Sequence, residues 1–80
     1  MLILNHAFFT KNTRHFSIWI EQDLFGDLMV RRNFGRKGAK KGRTITEICE
    51  NLTQAKTRFS ALCLYRAKNR HYERQIQQIL

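Results

Sequence analysis

The 80-residue chain has no proline, two cysteines, four glycines and six carboxylates. Each shortage removes a class of explanation. With neither proline nor a low-complexity stretch there is no linker signature, so residues 1–80 read as a single domain. Cys49 and Cys63 are too few for a disulfide framework. They are also poorly placed relative to His6, His15 and His71 for a zinc site, so reduced, half-buried thiols are expected, with no metal and no cofactor. Glu21, Asp23, Asp27, Glu47, Glu50 and Glu73 are scattered, without the paired spacing that metal or acid–base chemistry needs. Ser17 and Ser60 lack a nucleophile motif, and no catalytic residue is expected. No hydrophobic run is long enough to cross a membrane. The apolar start, Met1–Phe9, is short, is broken by Asn5 and His6, and has no basic residue before it, unlike a secretory signal. A cytoplasmic location is expected.

What the chain has in excess is positive charge, +9 in formal terms. The first thirty residues are close to neutral, with Lys11 and Arg14 set against Glu21, Asp23 and Asp27. Seven of the thirteen residues from Arg31 to Arg43 are basic and none is acidic: R-R-N-F-G-R-K-G-A-K-K-G-R. Three glycines, Gly35, Gly38 and Gly42, let the backbone of this run approach a ligand closely, and Phe34 offers a stacking face. The last third adds Lys56, Arg58, Arg66, Lys68, Arg70 and Arg74. This distribution points to a polyanion, with DNA as the expected partner and RNA left open. A membrane surface is disfavoured because no helix pairs a broad apolar face with a fully basic one. Gly35-Arg36-Lys37-Gly38 has the wrong spacing for a Walker or dinucleotide loop, and no helix follows it directly. The reading from a different class is a protein–protein adaptor or homodimer whose basic loop meets an acidic partner.

Hydropathy patterning predicts an α+β domain. Leu2–Phe9 is rich in β-formers. Arg14–Gln22 alternates, with Phe16, Ile18 and Ile20 on one side and His15, Ser17, Trp19 and Glu21 on the other. Leu24–Asp27 reads as a turn with Gly26-Asp27 at its tip. Leu28–Phe34 resumes the alternation, Gly35–Gly42 reads as a loop, and Arg43–Cys49 is a further β-prone run. Asn51 with Gln54 three residues later is the start of a helix over about 52–68. Leu52, Ala55, Phe59, Leu62 and Cys63 form its apolar stripe, with Lys56, Arg66 and Lys68 more exposed. The expected architecture is an antiparallel sheet of about four strands with this helix on one face. In that arrangement Arg32 is in phase with the apolar side and is expected to pair with Glu47 or Glu50. Trp19 points to the other side. The tail Tyr72–Leu80 has no decisive pattern, and Ile76, Ile79 and Leu80 are expected to dock.

The segment R-R-N-F-G-R-K-G, followed by Gly42 and a strand, resembles the signature of the WGR domain, R-x-W-G-R-x-G and then a glycine. F-S-I-W-I is similar to that family's leading strand. N-L-T-Q-A-K-T-R-F is similar to its helix, with Ala55 and Phe59, and A-K-N-R-H-Y to the basic helix end and following aromatic. The resemblance spans about residues 12–73. Three positions depart from the pattern. Phe34 replaces the tryptophan, keeping a π-face but losing the indole donor. Lys41 replaces one glycine of a pair, and His71 stands where a glycine often precedes the aromatic. In poly(ADP-ribose) polymerases the WGR domain helps to recognise DNA breaks and passes the signal to a separate catalytic domain. The resemblance therefore implies a non-catalytic DNA-binding module of the short, free-standing bacterial type. In that family the motif's aromatic and arginine, here Phe34 and Arg36, lie at the DNA end or at the interdomain contact, and the charge pattern adds Arg31, Gly35, Lys37, Lys40, Lys41 and Arg43, with Lys68, Arg70 and Tyr72 as a second patch.

Overall fold

The computed structural model describes residues 2–38 and 42–75. Five strands, β1 (Leu2–Lys11), β2 (Arg14–Gln22), β3 (Leu28–Arg36), β4 (Arg43–Cys49) and β5 (Glu73–Gln75), form one antiparallel sheet in the order β4-β3-β2-β1-β5. The helix α1 (Leu52–Asn69) follows β4 and packs across β2, β3 and β4. The sheet thus has one strand more than the sequence pattern predicts. β5 is only three residues, E-R-Q, too short and polar to show a period of two; pairing of Phe8 to Thr10 with Gln75 to Glu73 holds it on β1. The expected docking of Ile76, Ile79 and Leu80 lies outside the described residues.

The alternation in β2 sets the two faces. Phe16, Ile18 and Ile20 are buried toward α1, as are Ala7 and Phe9 of β1, Val30 of β3 and Cys49 of β4. α1 contributes Ala55, Phe59 and Cys63, all buried, whereas Leu52, expected in the same stripe, stays 39% exposed. Burial raises the Cys63 thiol pKa, and both cysteines are free. Arg32, in phase with the apolar side, meets Glu47 at 3.3 Å. Arg58 of α1 binds the same carboxylate at 2.8 Å, so Glu47 ties the helix to β3 and β4. That hydrogen bond from Arg58 is the largest cause of a lowered Glu47 pKa, with Arg32 adding to it.

Local chemistry fixes the helix ends. The Asn51 side chain accepts from the Gln54 backbone N–H at 2.8 Å, and the Gln54 side chain accepts from the Glu50 N–H at 2.6 Å, a reciprocal N-terminal cap. At the other end His71 takes a left-handed conformation, φ 59°. This allows the Tyr72 N–H to return to the Arg66 carbonyl at 3.0 Å. A glycine suits such a position better than histidine. The turn swings Tyr72 back over the core, where its ring meets Phe16 edge-on at 6.4 Å.

β3 extends two residues beyond the expected Phe34, making Gly35 and Arg36 strand residues rather than loop. The cause is the tight β1–β2 hairpin. It turns at Asn12-Thr13, with Asn12 at φ 53°, so β2 begins at Arg14 and offers partners as far as Arg36. A hydrogen bond from Lys37 N–H to the Thr13 carbonyl, 2.6 Å, closes the corner. Gly42 meets the same corner: a side chain there would start 3.0 Å from the Phe34 carbonyl oxygen and 2.9 Å from Asn33 Oδ1.

Candidate nucleic-acid interface

The topology sorts the charges. Lys11 ends β1, Arg14 begins β2, Arg36 ends β3, Arg43 begins β4 and Arg70 caps α1. In an antiparallel sheet whose helix runs back from the end of β4, all five positions fall at one pole. Five of the six carboxylates, Glu21, Asp23, Asp27, Glu47 and Glu50, lie away from it, leaving only Glu73, which stands opposite Thr10. Lys11 faces Arg14 across the first strand pair, and Arg14 faces Arg36 across the second. Like charges directly opposite one another destabilise a sheet. This pole keeps two such pairs side by side.

Here the surface opens into a cleft of about 620 Å³, lined by the hairpin residues Lys11–Arg14, by Phe34 and Gly35, and by Arg66, Arg70 and Tyr72. Arg66 organises it. Its guanidinium carbon lies 4.2 Å from the Phe16 ring centre and 5.2 Å from those of both Phe34 and Tyr72. Burial is the main cause of a lowered Arg66 pKa, although an arginine stays protonated throughout the physiological range. Among the described residues no carboxylate pairs with it: the ion pairs are Arg31–Glu21, Arg32–Glu47 and Arg58–Glu47. A half-desolvated guanidinium, fixed by aromatic rings, is a strong and pre-oriented donor for a phosphate or carboxylate. Lys11 is positioned by donating to the Arg70 carbonyl at 2.9 Å, which also neutralises part of the negative end of the helix.

Of the residues singled out from sequence, Phe34, Gly35, Arg70 and Tyr72 line the cleft. Phe34 is half-buried and stacks near Phe16 at 6.3 Å, so it is both core and wall. Arg36, Lys37 and Arg43 are exposed at the same pole, and Lys68 is exposed on the last turn of α1. Arg31 is placed elsewhere. It lies on the face turned away from α1, 3.4 Å from Glu21 and 3.2 Å from Thr46 Oγ1. Lys40 and Lys41 lie outside the described residues. Sequence reading missed Lys11, Arg14 and Arg66 as cleft residues. Arg66 was expected to be more exposed, yet it follows Phe59, Leu62 and Cys63 at helical spacing, a phase that places it at the end of the buried stripe. Lys11 and Arg14 flank an Asn-Thr pair between two β-prone runs, a hairpin signal that brings two cations together.

The family model of the WGR domain matches residues 3–78. No curated protein and no solved structure was found to match the chain.

Proposed function

The chain belongs to the WGR family, which is associated with nucleic-acid binding in poly(ADP-ribose) polymerases, and from that premise we propose that it is a non-catalytic module that binds DNA through the basic pole. The cleft takes backbone or terminal phosphate. Arg66 serves as the central donor, Lys11, Arg14 and Arg70 surround it, and Phe34 and Tyr72 form apolar walls for sugar or base. Arg36, Lys37 and Arg43 extend the contact along the neighbouring backbone. The observation that carries this reading is Arg66, half-buried against three rings with no carboxylate pairing among the described residues, in a cleft whose other charged groups are all cationic.

Such contacts go to phosphate rather than to base edges, so the binding is weakly sequence-dependent. α1 offers no recognition surface for a groove: its inner face is core, and Arg58 is held by Glu47. A cleft between a hairpin tip and a helix end fits a chain terminus or a single backbone better than an uninterrupted duplex side.

Fluorescence anisotropy tests the reading, comparing blunt duplex with and without 5′-phosphate, closed circular DNA and single strands at two salt concentrations. Tighter binding to phosphorylated ends than to circles supports terminal recognition. Equal binding keeps backbone recognition and removes the preference for ends. No binding of any duplex at low salt removes the DNA reading and redirects the search to an acidic protein partner.

A further inference from the structure

The sheet has a second face, and its composition does not fit a passive surface. Alternation places Phe8 of β1, His15, Ser17 and Trp19 of β2 and Asn33 of β3 on the side away from α1, and no described element covers them. Three aromatic rings are therefore only partly buried on an open sheet. Phe8 and His15 lie nearly parallel, 21° apart with centres at 6.4 Å, and His6 approaches Trp19 at 6.5 Å. The indole is held in place: its Nε1–H donates to Glu21 at 3.0 Å, and the Arg31 guanidinium sits 5.9 Å over its ring. The same contacts neutralise Glu21, which is only 5% exposed. The one other carboxylate on this face is Glu73, at the β5 margin. Among the described residues the centre of the face is thus aromatic, polar and free of unpaired negative charge.

Gly35 connects the two faces. It points to the open side beside His15, whose Nε2 is 3.8 Å from where a side chain on Gly35 would begin, and it also lines the basic cleft. The Gly42 backbone crosses beside the same position, its Cα 3.4 Å from where a side chain on Gly35 would begin, so the absence of a side chain lets the two strands close up at the margin between cleft and rings.

We propose that the open sheet face binds single-stranded nucleic acid by stacking its bases on Phe8, His15 and Trp19. The strand is the continuation of one whose phosphates are held at the cleft, and in that respect the inference rests on the function proposed above. Base–aromatic stacking tolerates any sequence because every base has a π-face, and the Ser17 hydroxyl and Asn33 amide supply polar contacts at the edges. The favoured DNA is then an end with an overhang, with its junction at the basic pole and its unpaired bases across the sheet. Cross-strand ring pairs also stabilise a sheet without any ligand, and the experiment separates the two roles.

Trp19 is the only tryptophan, so its emission reports directly on this face. The intact protein is titrated with a short oligothymidine, and in parallel with a blunt duplex followed by anisotropy. Saturable quenching of Trp19 by the single strand is expected. Phe8→Ala and His15→Ala should each weaken single-strand binding by at least about fivefold, the low end for one lost stack, with blunt-duplex affinity changed less than about twofold. If Phe8→Ala fails to fold, Phe8→Leu removes the ring while keeping bulk, and Phe8→Tyr should restore binding. Unchanged Trp19 emission with saturating single strand overturns the proposal, as does wild-type affinity in Phe8→Leu. Equal quenching by blunt duplex overturns the choice of single strands. Loss of blunt-duplex binding by the wild type strikes the cleft instead, and ring-dependent quenching by oligothymidine would survive it.

Discussion

Replacing Arg66 with methionine separates the two tasks its guanidinium performs. In the free protein the charge sits over Phe16, Phe34 and Tyr72 at 4.2, 5.2 and 5.2 Å. A partly desolvated cation–π contact contributes about 0.5–2 kcal/mol. Against this stands the cost of removing a cation from water, visible in the lowered Arg66 pKa whose first cause is burial. Methionine is unbranched, fills a similar channel and gains sulfur–aromatic contact of about 0.3–1.5 kcal/mol. These terms nearly cancel, which leaves the lost hydrogen bond to Tyr72, so Arg66→Met should cost about 1 kcal/mol and move the melting temperature of a domain this size by about 4–8 °C. Binding is different, because a charge-assisted hydrogen bond to phosphate is worth about 1.5–3 kcal/mol. Duplex affinity should therefore fall roughly 10- to 150-fold. Anisotropy and thermal denaturation on the same preparations measure both. A variant that loses more than about 2 kcal/mol of stability yet binds DNA as the wild type does would refute the reasoning and make Arg66 a structural pillar.

Other substitutions probe other parts of the molecule. Arg36→Ala removes an exposed charge at the end of β3 and should weaken DNA binding several-fold while the melting temperature stays within about 2 °C; a large stability loss would make Arg36 structural. Gly42→Ala brings a methyl to 3.0 Å from the Phe34 carbonyl, which cannot yield without shifting the β3–β4 ladder. A loss of about 1–3 kcal/mol in urea denaturation is expected, and an unchanged midpoint would contradict it. Glu47→Gln tests the pairing with Arg32 and Arg58. The folded carboxyl pKa is lowered, so its stabilisation is complete above the ordinary carboxylate range and disappears as pH falls through the folded value. The variant should be less stable than wild type by about 1 kcal/mol at neutral pH, the gap shrinking as pH falls below the ordinary carboxylate range and closing once the folded carboxyl is protonated, and a gap that does not shrink in acid would point to packing instead.

Where the sequence carried a periodic signal, the elements followed it. Phe16, Ile18 and Ile20 marked the buried side of β2, Asn51 and Gln54 marked the start of α1, and the phase of Arg32 anticipated its contact with Glu47. The failures have a common cause in tertiary pairing. β5 exists because β1 has a free edge at Phe8 to Thr10, which no property of E-R-Q announces. Gly35 and Arg36 are strand residues because a two-residue hairpin starts β2 early enough to pair with them. The site was half legible. The basic glycine-punctuated run leads to the pole where the cleft lies, but it conceals that Arg31 faces the opposite side of the sheet. The cleft instead draws Lys11 and Arg14 from one hairpin and Arg66 from a helix some fifty residues later, a convergence that depends on strand order and on the left-handed turn at His71 returning Tyr72 to the core.

The salt dependence of duplex binding tests most directly whether the pole is an interface for phosphate. If Lys11, Arg14, Arg66 and Arg70 each meet one, the logarithm of the association constant should fall against the logarithm of salt concentration with a slope of at least about −3 to −4, steeper by about one for each of Arg36, Lys37 and Arg43 that joins them. In Arg66→Met the slope should become shallower by about one. A wild-type slope near zero, or one that Arg66→Met leaves unchanged, would contradict phosphate binding at this cleft.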